Sequence, residues 1–207
     1  MKPLNQVVSA PVPLKLANLD TDQIIPGRFL RKLRGDGYHP YLFHDLRRES
    51  LGELRGDFPL NMEKWAGAEI LVTDRNFGGG SSREAAVYAL VDSGIRVVIA
   101  PSFGDIFYSN ATKNGLLPIV LPREEIERIW EQADADSTAP LTVDLEAQQV
   151  RLANDPEPIG FEIEAFRRDN LLNGLDDIEL TLKYAGDIDG YEAGLKDAPA
   201  WRVPRAR

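Results

Sequence analysis

The sequence predicts an α/β fold, a central parallel or mixed sheet carrying helices, with an additional antiparallel layer. Three observations predict it. Between residues 68 and 132, short β-branched runs alternate with stretches of helical periodicity. The connections between them are short, so successive strands run parallel with helical crossovers. After Pro140 the alternation stops, and two short runs separated by a polar turn read as a hairpin.

In chain order, residues 7–16 read as one extended segment, which Pro11 and Pro13 confine to a sheet edge. A polar turn, Asn18-Leu-Asp-Thr-Asp22, leads to Ile24-Ile25-Pro26. Asp20 and Asp22 read as side chains that fix this bend by bonding nearby backbone amides. Residues 27 to about 59 are rich in Arg, Gly and Asp with scattered aromatics, a long loop with short helical pieces; long ordered loops usually have a function. Residues 68–73 form a buried strand. Residues 82–93 form a helix, with Ala86, Leu90 and Val91 on its apolar face. Another strand spans 96–100, and a helix spans 103–114 and stops at Gly115. A third strand spans 116–121 and a surface helix 123–132. Residues 141–145 and 148–152 form the hairpin, 160–163 one more strand, and 164–172 and 177–193 the closing helices. No linker composition divides the chain, so residues 1–207 read as one domain, ordered to about 200 with a basic tail at 201–207.

The composition excludes several functions. With 24 Lys plus Arg against 33 Asp plus Glu, the net charge of −9 repels phosphate backbones and anionic lipid. No nucleic acid or membrane partner is expected. The absence of cysteine removes disulfides, thiolate metal sites, a cysteine nucleophile and a cysteine-held iron–sulfur cluster from this chain. It also suits a reducing cytoplasm. The first residues lack the apolar core of a signal peptide, and no run is long enough to span a bilayer.

The chemistry concentrates in Asn76-Phe-Gly-Gly-Gly-Ser-Ser-Arg-Glu84, between a strand and a helix. Gly78, Gly79 and Gly80 let the backbone turn sharply and approach a ligand. Ser81 with Glu84 three residues on has the spacing of a capping box, and the free amides of a helix start favour an anion. Arg83 adds a fork suited to a carboxylate. A capped helix alone accounts for Ser81 and Glu84, but not for Ser82 and Arg83 behind three glycines. Nucleotide binding fits poorly: Arg83 stands where a dinucleotide fingerprint needs its third glycine, and no Gly-Lys-Ser/Thr is present. As an acyl-transfer nucleophile, Ser81 would need a histidine base. The only histidines, His39 and His44, lie in the long loop, and no Gly-x-Ser-x-Gly elbow exists. A serine alkoxide taking a proton from carbon, with helix amides and Arg83 beside it, uses the residues present.

The chain resembles the small-subunit family of 3-isopropylmalate dehydratase, in the aconitase superfamily. The resemblance rests on Asn18-Leu-Asp-Thr-Asp-Gln-Ile-Ile-Pro26, the 76–84 turn and Ala100-Pro-Ser-Phe-Gly-Asp-Ile-Phe-Tyr-Ser-Asn110. It continues through Asn114-Gly-Leu-Leu-Pro118, Val143-Asp-Leu-Glu-Ala-Gln148 and Phe166-Arg-Arg-Asp-Asn-Leu-Leu-Asn-Gly-Leu-Asp176. The chain length and the 143–148 segment resemble the bacterial leucine-pathway subunit more than shorter archaeal-type relatives.

The resemblance implies a swivelling β/β/α domain that closes over a large subunit carrying a [4Fe–4S] cluster, with no cofactor in this chain. It implies a hydro-lyase acting on a malate-type dicarboxylate, turning 2-isopropylmalate into 3-isopropylmalate by loss and return of water. On this chain it makes Ser81 the base, and Ser82 and Arg83 holders of a substrate carboxylate. Arg31 becomes the candidate in the substrate-recognition loop after Pro26. Two positions depart from the family pattern: Gly79, usually Cys, and Ala85, usually His. These departures leave room for a related dehydratase acting on another alkylmalate or tricarboxylate, or for a non-catalytic module.

Overall fold

Four parallel strands organise the molecule, seen in a computed structural model that describes residues 1–153 and 155–195. The basic tail at 201–207 lies outside the described residues. Strand β2 (Pro11–Leu14) pairs with β3 (Ile70–Thr73), β3 with β4 (Val97–Ala100), and β4 with β5 (Leu117–Val120), all in parallel. Helices α2 (Glu84–Asp92), α3 (Asp105–Lys113) and α4 (Arg123–Ala135) follow β3, β4 and β5 in turn. This is the predicted β-α-β-α-β order.

The second sheet is antiparallel: β1 (Gln6–Ser9), β6 (Leu141–Asp144), β7 (Gln149–Leu152) and β8 (Ile159–Gly160), in that spatial order. The predicted hairpin is β6–β7. Strand alternation divides the parallel sheet between two cores. Leu71, Val98 and Ala100 face Ala86, Leu90, Phe107 and Ala111 of α2 and α3. Ile70, Val72, Val97, Ile99, Leu117 and Ile119 face α4 and the antiparallel sheet, where Val143, Val150 and Trp130 meet them. A sheet apolar on both faces must be covered on both. The layers are therefore helices, parallel sheet, and antiparallel sheet with α4 and α5 (Ala165–Asn173).

Several expectations are corrected. Residues 7–16 are two strands in different sheets, divided at Ala10, because Val7 packs into one core and Val12 and Leu14 into the other. Pro11 and Pro13 do lie on an edge strand, where a missing N–H costs no ladder bond. The strand expected at 160–163 is only Ile159–Gly160. The last predicted helix is two, α6 (Asp177–Leu182) and α7 (Ala185–Gly194). The polar turn contains a helical turn, α1 (Thr21–Ile24), and the long loop holds 3₁₀ turns at Gly27–Phe29, Arg34–Asp36 and His39–Tyr41. No helix among the described residues is long and apolar enough to cross a membrane.

Candidate active site

Loops leave the C-terminal ends of β2, β3 and β4 side by side, the end of a parallel sheet where ligands characteristically bind. Backbone bonds lace them together. Asn18 N–H donates to Arg75 O at 2.9 Å, Gly78 N–H to Leu19 O at 2.7 Å, and Thr21 N–H to Gly79 O at 2.9 Å. On the other side, Phe77 N–H donates to Ser102 O at 3.1 Å and Gly104 N–H to Phe77 O at 2.9 Å. The glycine turn is thus the middle strand of a small, irregular three-loop layer.

This layer explains the glycines. Gly78 has φ +71°, and a Cβ there would run into the Phe107 ring. A Cβ on Gly104 would come within 2.6 Å of Gly78 O. Gly78 is required by packing, through Phe77, Phe103 and Phe107, whose rings lie 5.2 to 6.2 Å apart. Gly79 differs: a Cβ would meet only the Asn76 side chain, at 3.1 Å. Phe77 and Phe107 are buried in the core, and Phe103 packs against them half-buried.

The capping box expected at Ser81 is not formed. Helix α2 starts at Glu84, its N-cap is Arg83, and no side chain caps it. Glu84 instead accepts a bond from Asn114 Nδ2 at 2.9 Å. Ser81 lies before the helix, so Ala85 does not share a helical face with it; Ala85 is half-buried against the core. Ser81 and Ser82 are exposed. The backbone of Ser81 is held by buried Thr21, whose Oγ1 donates to Ser81 O at 2.9 Å. Freed from capping, the Ser81 hydroxyl is available at the mouth of the turn.

Asp20 and Asp22 both accept nearby backbone amides, as expected of this bend, and Asp22 also holds Arg83. Asp20 is the N-cap of α1, accepting from Gln23 N–H at 2.7 Å in a full capping box. Asp22 Oδ1 accepts from Arg83 Nη1 and from Gly27 N–H at 2.8 Å. The Arg83 hydrogen bond, then that of Gly27, holds the Asp22 carboxyl below the usual carboxylate range. Arg83 Nη1 also points at Ile25 O, at 3.4 Å.

Between these groups opens a cleft of 520 Å³ whose lining includes Asp20, Asp22, Gly27, Arg28, Asp45 and Arg83. Arg28, not Arg31, is the loop cation on this cleft. It holds Asp45 with both forks, Nη1 to Oδ2 at 2.8 Å and Nη2 to Oδ1. Arg28, with His44 Nδ1 at 2.9 Å from the same carboxylate, lowers the Asp45 pKa to about 2. Arg31 is exposed and outside the cleft lining, whereas Arg28, also exposed, lies on the cleft with its guanidinium 4.6 Å from the Phe29 ring. Thr21 and Asp45 were not singled out in the sequence, His44 was weighed only as a histidine base, and Arg28 stands in the recognition loop where Arg31 was the candidate. Thr21 stood inside a quoted motif, whereas nothing local to Asp45 signals a partner 17 residues away. Among the described residues no three His, Cys, Asp or Glu side chains group as a metal site, and the chain has no cysteine, so these residues do not fit a cysteine-held cluster.

Residues 1–124 match the family model described as Aconitase C-terminal domain, and residues 127–165 match the model LeuD_N. The 3-isopropylmalate dehydratase small subunit of Rhodospirillum centenum is 47% identical, over 98% of this chain and 100% of that one. The subunit of the same name from Dinoroseobacter shibae is 46% identical, over 97% and 100%. A crystal structure of 3-isopropylmalate dehydratase from Methanocaldococcus jannaschii superposes with TM-score 0.64 at 29% identity, over 90% of this chain and 99% of that one. The chain belongs to the aconitase C-terminal domain family and, within it, to the 3-isopropylmalate dehydratase small subunits.

Proposed function

We propose that this chain is the small subunit of a heteromeric hydro-lyase that isomerises 2-isopropylmalate to 3-isopropylmalate in leucine biosynthesis, active only with its large subunit. The observation that carries the reading is the meeting of the 78–83 turn with the 20–28 segment: Arg28 and Arg83 line one open cleft, and the exposed Ser81 stands in the turn that leads to Arg83, in a chain alike over its length to subunits of that name.

The substrate is a dicarboxylate that must lose a carbon-bound proton and a hydroxyl. Arg83, aimed by Asp22, offers a planar fork to one carboxylate. Ser82 adds a hydroxyl donor beside it. Ser81, as alkoxide, takes the proton from carbon, with the unbonded amides at the start of α2 and the Arg83 charge lowering the cost of the oxyanion. Rehydration returns the proton from Ser81 and adds water in the opposite sense. Arg28 supplies the second positive charge on the cleft. The large subunit is expected to carry a [4Fe–4S] cluster, which when bound supplies Lewis acidity to the departing hydroxyl. A cytoplasmic location accords with the cysteine-free sequence.

The test is reconstitution. The purified chain alone is expected to show no iron–sulfur absorbance and no turnover; mixed with the large subunit, it is expected to assemble and convert 2-isopropylmalate. Turnover by the single chain would refute the two-chain reading. A better rate with another alkylmalate would move the substrate assignment while keeping the chemistry.

A further inference from the structure

Helix α2 has a site residue at one end and an unexpected carboxylate at the other. Arg83 is its N-cap, and Asp92 is its last residue, about 13 Å along the axis. A negative charge in the last turn opposes the helix dipole, so the helix gains nothing from it. The structure gives Asp92 two partners: Oδ2 accepts from Arg34 Nη1 at 2.6 Å and from Tyr38 N–H at 2.7 Å, with only 15% of the side chain exposed.

Those donors belong to the loop that leaves the cleft. Gly27 is held at its start by Asp22, as described above. The Arg34 guanidinium then lies 4.4 Å over the Tyr88 ring of α2, and Tyr38 O–H donates to Lys32 O at 2.8 Å. The segment from Gly27 to Tyr38 therefore runs along α2 and is clamped by a carboxylate at each end. Arg28 and Arg31 lie between the clamps.

We infer that Asp92 is a positioning residue for the site: it fixes the return of the 27–38 segment along α2 and so the placement of Arg28 and Arg31 relative to Arg83. The inference rests on the reading of the cleft as a dicarboxylate site. Asp92 lies at the far end of the helix from the cleft, so its removal should act on substrate binding more than on the chemical step.

The test uses Asp92→Asn and Arg34→Met in the assembled complex. Asn keeps the size and one acceptor for Tyr38 N–H but loses the ionic hold on Arg34. KM for 2-isopropylmalate is expected to rise about tenfold in each variant with kcat within about twofold. The double variant should be no worse than the singles, since all three remove one contact. The unfolding midpoint of Asp92→Asn should change little, since the lost ion pair is offset by removal of a charge that opposes the dipole, whereas Arg34→Met leaves that charge without its partner and should lower the midpoint. An unchanged KM with a lowered midpoint would show that Asp92 is purely structural. A second measurement needs no substrate: trypsin cleavage after Arg28, Arg31 and Lys32 in the free subunit should accelerate severalfold in both variants. Unaltered cleavage would overturn the clamp whatever the activity. If cleavage accelerates but the wild-type complex does not turn over isopropylmalate, the clamp stands and the functional reading falls.

Discussion

Arg83 and Asp22 form an ion pair that joins the glycine turn after β3 to the helical turn after β2. The cation proposed to bind substrate is therefore already matched by a carboxylate of its own chain. The pair is unequally buried, with 21% of the Arg83 side chain exposed against 59% for Asp22. Asp22 is the more exposed partner and Arg83 the more enclosed one. A carboxylate arriving in the cleft meets an oriented guanidinium rather than one that must be ordered on binding, which lowers the entropic cost of capture.

Asp22→Asn should lower kcat/KM by about one to two orders of magnitude, since Arg83 loses the charge that aims it. Stability should change little, because an exposed ion pair is worth about 1 kcal/mol or less. Steady-state kinetics of the complex and a melting curve check both. A lower KM in the variant would instead mark Asp22 as a competitor for Arg83.

Ser81→Ala should reduce kcat by about 10²–10⁴ while leaving the melting temperature and assembly intact. The structure sharpens this prediction, because Ser81 does not cap α2. A loss of stability with normal turnover would reassign the residue to the fold.

Gly78→Ala and Gly79→Ala should separate the two roles of the glycine turn. At Gly78 the new methyl meets Phe107 at φ +71°, which should cost more than about 3 kcal/mol and reduce soluble yield. At Gly79 only the Asn76 side chain has to give way, so the change in stability should stay under about 1 kcal/mol. Chemical denaturation of the two variants decides it.

The Arg28–Asp45 pair should persist well into acid. The Asp45 pKa, lowered to about 2 by Arg28 and then His44, lies below the unfolded carboxylate value of about 3.9. Its contribution to stability is therefore complete above about pH 4 and is lost as pH falls toward 2. Carboxyl NMR titration of the wild type should show this low value, and Arg28→Met should return Asp45 toward the ordinary range. An ordinary value in the wild type would mean that the pair does not form in solution.

The sequence by itself determined the order of strands and helices from residue 68 to 135, the hairpin after Pro140, and the turn that carries Ser81, Ser82 and Arg83. Apolar periodicity, β-branched runs and glycine are local signals, read over a few neighbours without knowing where the chain goes next. Only the tertiary structure decided the rest. Residues 7–16 became two strands because two cores claim their apolar side chains. Helix α2 starts at Glu84 rather than at Ser82, so the capping box does not form, and Glu84 meets Asn114, 30 residues on. Asp22 found Arg83 across 61 residues and Asp92 found Arg34 across 58. Such pairings depend on which loops the parallel sheet sets side by side. That follows from burying the whole chain's apolar surface at once, and no local stretch of sequence encodes it.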